Sequence, residues 1–214
     1  MLPKADWLYY ETQAQDKGLR FIFGVDEAGR GPLAGPVVAA AVYLRQFDFK
    51  HSINDSKKMS AKAREAAFHE IHDKAYVGIG IMNEKAIDTV NILNASHLAM
   101  EMAVKELVRS LPKETVRPDI FCRQVILLID GNIFRTQLPY QYRTIIGGDG
   151  KSLSIACASI VAKVYRDRIL NVYDKIFPQY GFAKHKGYPT KDHRLAVQTH
   201  GSSIIHRKSF QGAV

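Results

Sequence analysis

Two cysteines, one tryptophan and no long apolar run in 214 residues remove several classes of protein from consideration. Cys122 and Cys157 are too few for a cysteine-ligated metal cage or for a disulfide scaffold. Cys157 also falls on an apolar helical stripe, where a thiol acts as a small core residue. No segment approaches the roughly 20 apolar residues of a membrane span. The opening Met-Leu-Pro-Lys-Ala-Asp has neither a long apolar stretch nor a cleavage pattern. The expectation is a cytoplasmic protein with no membrane partner. Internal repeats, low-complexity tracts, a phosphate-loop glycine pattern and a nucleophile elbow are all missing. Acids are in deficit too: 21 Asp and Glu face 30 Lys and Arg, a net charge of +9. Residues 163–208 carry ten Lys/Arg against three Asp, which points to a polyanionic partner.

What is present centres on residues 24–43. An apolar run, Phe21 to Val25, delivers Asp26 and Glu27 to a turn with three glycines and two prolines, and a second apolar run, Val37 to Val42, leads away. This reads as strand, functional turn, strand. Adjacent carboxylates at a strand end repel unless a cation lies between them, and hard divalent cations prefer oxygen ligands. Gly29 and Gly31 admit positive φ and a close approach of the backbone to a ligand. Arg30 between them carries a planar fork of donors suited to phosphate. Along a strand Asp26 and Glu27 point to opposite faces, so the expectation is a bend after Asp26.

The rest of the chain supplies the frame. Ser60 is a plausible N-cap for a helix over 61–74, preceded by a loop with Asn54-Asp55-Ser56-Lys57-Lys58. Val77, Ile79 and Ile81 alternate with small residues in a third strand, and a helix over about 91–109 follows, with His97 on its apolar stripe as a buried, hydrogen-bonded residue. Residues 110–124 read as a connection. Val125 to Ile129 is a strand buried on both faces, ending at Asp130, where open α/β sheets bind ligands. Tyr142 to Ile146 is a fifth strand ending in Gly-Gly-Asp149-Gly-Lys, ahead of a long helix marked by Leu153, Cys157, Val161, Tyr165 and Ile169. Asp167, flanked by Arg166 and Arg168, reads as an ion-pair partner, and a last helix runs from about 190 to 200. Trp7, Tyr9 and Tyr10 are available to pack a short N-terminal helix with no assigned function.

The run Asp26-Glu27-Ala28-Gly29-Arg30-Gly31-Pro32, followed by Leu33-Ala34-Gly35-Pro36-Val37, resembles the signature of ribonuclease HII, and further matching blocks recur to the C-terminus. The resemblance implies a ribonuclease H-like α/β fold: a five-stranded mixed sheet flanked by helices, with a C-terminal helical extension. It implies one catalytic domain over residues 1–214, with a basic helical segment at about 178–214, acting as a monomer. The implied activity is an endonuclease cutting 5′ of ribonucleotides in RNA–DNA hybrids and in DNA duplexes with embedded ribonucleotides, leaving a 3′-hydroxyl and a 5′-phosphate. The family's four metal-binding acids fall on Asp26, Glu27, Asp130 and Asp149, which would hold two divalent ions, Mg²⁺ or Mn²⁺, about 4 Å apart.

Substrate contacts follow the same resemblance. Backbone groups of Gly29, Arg30 and Gly31 can reach the 2′-OH that distinguishes ribose from deoxyribose. Lys57 and Lys58 fall near the nucleic acid, and Tyr188 matches the tyrosine that stacks on the sugar of the following deoxynucleotide. Pro189 stands where the family usually shows Gly, restricting Tyr188 to extended conformations. Two rivals remain at this level. A ribonuclease HIII-like hybrid nuclease usually carries an extra N-terminal domain and a different turn, and a non-catalytic hybrid-binding module would lack one of the four acids.

Overall fold

The computed structural model describes residues 7–116 and 118–213. Five strands form one mixed sheet: β1 (Phe21–Ala28), β2 (Val37–Leu44), β3 (Ala75–Met82), β4 (Val125–Asp130) and β5 (Gln141–Ile145), in the order β3-β2-β1-β4-β5. β1, β2 and β3 are antiparallel neighbours, whereas β4 runs parallel to β1 and β5 parallel to β4. Around the sheet lie α1 (Tyr9–Asp16), α2 (Ala61–Lys74), α3 (Glu84–Val90), α4 (Ile92–Ser110), α5 (Pro118–Gln124) and α6 (Leu153–Ile176). Two further helices, α7 (Phe182–His185) and α8 (Lys191–His200), form the C-terminal extension. None among the described residues is long and apolar enough to cross a membrane.

The two faces of the sheet make separate cores. Phe23, Val25, Ala39, Ala41, Leu127 and Ile129 pack beneath α4, while Ala40 and Val42 pack against α2 and α6. In β3 it is the small residues that are most buried: Gly78 and Gly80 are buried, and Ile81 is exposed. A Cβ on Gly80 would stand 1.9 Å from the Ala99 carbonyl oxygen, and one on Gly78 2.1 Å from that of Ala103, so the missing side chains let α4 lie directly on the strand. Ser60 caps α2 as expected, accepting from the Ala63 amide. The connection read over 110–124 contains a helix instead, because Phe121, 2% exposed, needs the core that a surface loop could not reach. α3 was also unforeseen; Asn83 caps it, and Asn91 at φ 66° separates it from α4. The fifth strand begins and ends one residue earlier than expected.

The N-terminal helix does more than cover the body. Buried Glu11 accepts from the Ser152 hydroxyl (2.6 Å) and from the Ser154 amide (3.0 Å) and hydroxyl (2.8 Å). A carboxylate is thereby held at the positive end of α6, the helix that begins just after Asp149.

Candidate active site and nucleic-acid groove

Parallel pairing of β1 with β4, with Val25 opposite Ile129, brings the carboxyl ends of two central strands side by side. Asp26 on β1 and Asp130 at the end of β4 meet Asp149, which lies on a single turn of 3-10 helix, Gly148–Gly150, ahead of α6. One carboxylate oxygen from each lies within 4.8 Å of the others. The Gly148 amide donates to Asp130 Oδ1 at 2.7 Å and so couples the strand end to the turn that carries Asp149. Glu27 lies outside this three-acid set. β1 does not bend after Asp26 but continues paired to Ala28, so alternation turns Glu27 away from Asp26, and its Oε1 faces Arg30 Nη1 at 3.5 Å.

The electrostatics are those of acids gathered without enough countercharge. Burial, then the charges of Glu27 and Asp130, push Asp26 well above the usual carboxylate range, although the Glu27 amide and Ser159 pull the other way. Burial raises Glu27 against the pull of Arg30, and it raises Asp130 against the Gly148 amide. Lys57 is the local answer: its Nζ lies 3.7 Å from Asp149. Burial opposes its charge, but Asp149, Asp26, Asp55 and Asp130 together outweigh that and hold its pKa above the usual lysine value. The two lysines read together from the sequence diverge here, since Lys58 turns to Asp55 at 3.6 Å and is largely exposed.

A cleft of about 220 Å³ opens beside the acids, lined by Glu27, Gly29, Arg30, Gly31, Lys57 and Tyr188, and also by Ser56, Ser159, Lys163 and Arg166. Gly29 has φ +100°, and a Cβ there would stand 2.0 Å from Arg166 Nε; Gly31 is not in the left-handed region, contrary to the expectation for both. Tyr188, 43% exposed, stands across the cleft, its ring 3.7 Å from where a Gly31 Cβ would be. Lys163 and Ser159 are given no role by the sequence, yet their i, i+4 spacing on α6 places them on one helical face. Asp167 is the ion-pair partner anticipated, but its cations are Lys163 (2.7 Å) and Arg64 (3.8 Å) rather than the flanking arginines. His97 is buried, with Nε2 3.2 Å from the Ile133 carbonyl oxygen.

Three buried histidines sit behind Tyr188, and their partners define their protons. The Ser203 amide donates to His206 Nδ1 (2.9 Å), so the His206 proton is on Nε2 and points at His193 Nε2, 3.1 Å away. His193 then carries its proton on Nδ1 and donates to the Tyr188 carbonyl at 3.0 Å. His185 accepts from the Gly187 amide at Nδ1 and donates from Nε2 to Tyr180. A second proton on any ring would set two N–H groups face to face. Burial, then neighbouring His193, push His206 down to about 4. A depressed folded value means that the unfolded chain takes up protons first, so stability is lost as pH falls from about 6.5 toward 4. Urea unfolding at pH 7 and pH 5 is expected to show wild type losing about 2 kcal/mol from this group, and His206→Gln losing distinctly less. Equal losses would remove His206 as the source.

Comparison with known proteins places this geometry in a family. The ribonuclease HII family profile matches residues 23–213. A ribonuclease HII of Acetivibrio thermocellus is 51% identical over 202 residues, 94% of this chain and 73% of that protein. One from Syntrophus aciditrophicus is 48% identical over 204 residues, 95% of this chain and 90% of the relative. The crystal structure of ribonuclease H2 from Pyrococcus horikoshii shares the fold, with a TM-score of 0.67 at 21% identity, covering 91% of this chain and 95% of that one. The sheet order, the acids at the ends of its central strands and this match over nearly the whole length together establish that the chain belongs to the ribonuclease HII family.

Proposed function

We propose that the protein is a metal-dependent endoribonuclease that cuts on the 5′ side of ribonucleotides in RNA–DNA hybrids and in DNA duplexes with embedded ribonucleotides. The single observation that carries this reading is the convergence of Asp26, Asp130 and Asp149 within 4.8 Å at the rim of a basic cleft. Three crowded carboxylate oxygens fit a hard divalent cation, and among the described residues Lys57 is the cation paired with them, at Asp149. These three acids, with Glu27 beside them, would hold two ions, Mg²⁺ or Mn²⁺. When bound, the ions supply activation of the attacking water and neutralisation of charge on the leaving oxygen.

The chain's own groups do the rest. Lys57 and Lys163 line the cleft as cations for the phosphate backbone, and Lys58 extends that surface into solvent. The amides of Arg30 and Gly31 have no acceptor among the described residues and are free to meet a ribose hydroxyl or its phosphate. Tyr188 closes the opposite wall as an aromatic platform for a neighbouring sugar. This division of labour makes backbone binding sequence-independent and leaves the cut position to the sugar.

The experiment is cleavage of an end-labelled duplex containing one ribonucleotide, with and without divalent metal. A single incision 5′ of the ribonucleotide, only with metal, is expected, together with a rise in thermal unfolding temperature when Mg²⁺ or Mn²⁺ is added without substrate. Incision in the presence of excess chelator would overturn the reading.

A further inference from the structure

Among the largest fully buried side chains are two arginines, Arg166 and Arg207, 1% and 0% exposed. Neither has a carboxylate within ion-pair distance among the described residues; their partners are backbone carbonyls. Arg207 donates from Nη2 to Gly29 (2.6 Å) and Gly35 (2.7 Å), from Nη1 to Arg30 (3.0 Å) and from Nε to Gly35 (2.9 Å). Arg166 donates to Pro36 (3.0 Å), Ala34 (3.1 Å) and Lys186 (2.9 Å). Five of these six carbonyls belong to residues 29–36, and the sixth lies two residues before Tyr188.

A planar trans peptide points its N–H opposite to its C=O. With the Gly29 and Arg30 carbonyls turned inward onto Arg207, the next amides, those of Arg30 and Gly31, face away from it. Both residues are exposed, whereas Gly29 is buried, so that outward side is the open cleft. A buried cation on each carbonyl also polarises its peptide and strengthens the opposite N–H as a donor. We infer that Arg207, seconded by Arg166, is a positioning residue for substrate specificity: it never meets the nucleic acid but fixes the direction of the two amides that meet the ribose. This inference rests on the function proposed above.

Lysine in place of Arg207 keeps the charge and loses the fork, and one ammonium cannot hold Gly29, Arg30 and Gly35 together. The test uses Arg207→Lys with two duplexes that differ by one 2′-OH, bound in chelator so that no cutting occurs. Wild type is expected to favour the ribonucleotide duplex severalfold, the scale of one hydrogen bond. In Arg207→Lys that ratio is expected to fall to about one while affinity for the all-DNA duplex stays within about twofold, and the Arg30 and Gly31 amide resonances are expected to move in the free protein. A variant that weakens on both duplexes by the same factor, or keeps both the ratio and those resonances, overturns the inference. If the variant does not fold, titration of ¹⁵N-labelled wild type decides: the Arg30 and Gly31 amides should shift with the ribonucleotide duplex and not with its all-DNA twin. Absence of that difference overturns the inference. Failure of the proposed function is read separately, as wild type that leaves the ribonucleotide duplex uncut when metal is supplied.

Discussion

Asp130→Asn is expected to lower kcat on a single-ribonucleotide duplex by about a thousandfold while raising the thermal stability of the metal-free protein. The first effect follows from removing one charge from a set built to hold cations, on the scale of other losses of preorganised electrostatic groups. The second follows from the same geometry. Like charges whose oxygens approach within 4.8 Å repel in the free protein, and relieving one is worth about 1–2 kcal/mol against the screening by Lys57, or a few degrees of Tm in a chain of this size. The amide is isosteric, and its Oδ1 can still accept from Gly148, so the turn carrying Asp149 is retained. Glu106→Gln, a half-exposed acid on α4 whose ion-pair partner is surface Arg109, serves as the charge control and should change kcat not at all and Tm little. Turnover near the wild-type rate in folded Asp130→Asn would remove Asp130 from the centre. A drop in metal-free stability would show that the acids are held by other contacts than those described.

Asp26, Asp130 and Asp149 stand out in the chain because each ends a short apolar run or sits in a glycine turn, and runs of that kind become central strands; grouping them as one set comes from the family resemblance. What could not be found is what holds the turn. Arg166 and Arg207 contributed to the basic count of residues 163–208 and looked like part of a phosphate-binding surface, yet both are buried under Gly29–Pro36. A composition count does not register burial, and five of the six carbonyls they satisfy lie more than a hundred residues away in sequence. The bend expected after Asp26 failed for a related reason. Ladder pairing of β1 with β2 continues through Ala28 opposite Val38, so the turn is made at Gly29, where φ is +100°. Glu11 is a third case: its role appears only when α1 docks and its carboxylate reaches Ser152 and Ser154. Local pattern carries periodicity and caps, as along α6 and at Ser60; it does not carry side-chain contacts between distant segments.

Tyr188→Ala is expected to separate two substrates that wild type handles together. The ring is 43% exposed over the cleft, and its hydroxyl has no hydrogen-bond partner among the described residues. The main chain beneath it is independently held: its amide donates to His185 (3.0 Å), and its carbonyl accepts from Thr190 (2.8 Å) and His193 (3.0 Å). Truncation should therefore delete the platform and leave the loop, with a cost of the order of one stacked contact, about 1–3 kcal/mol. One amide hydrogen bond to a 2′-OH contributes only about 0.5–1.5 kcal/mol, roughly tenfold at most, so strong selectivity for a lone ribonucleotide requires this second element. On a duplex with one ribonucleotide there is a single register in which the ribose after the cut is followed by a deoxyribose, and kcat/KM should fall at least about tenfold. A long RNA–DNA hybrid offers many registers, and the loss there should stay within about threefold. Tyr188→Phe, which keeps the ring, should track wild type on both. Equal losses on the two substrates would reduce Tyr188 to a general binding residue and leave junction selectivity to the Gly29–Gly31 turn and the arginines beneath it.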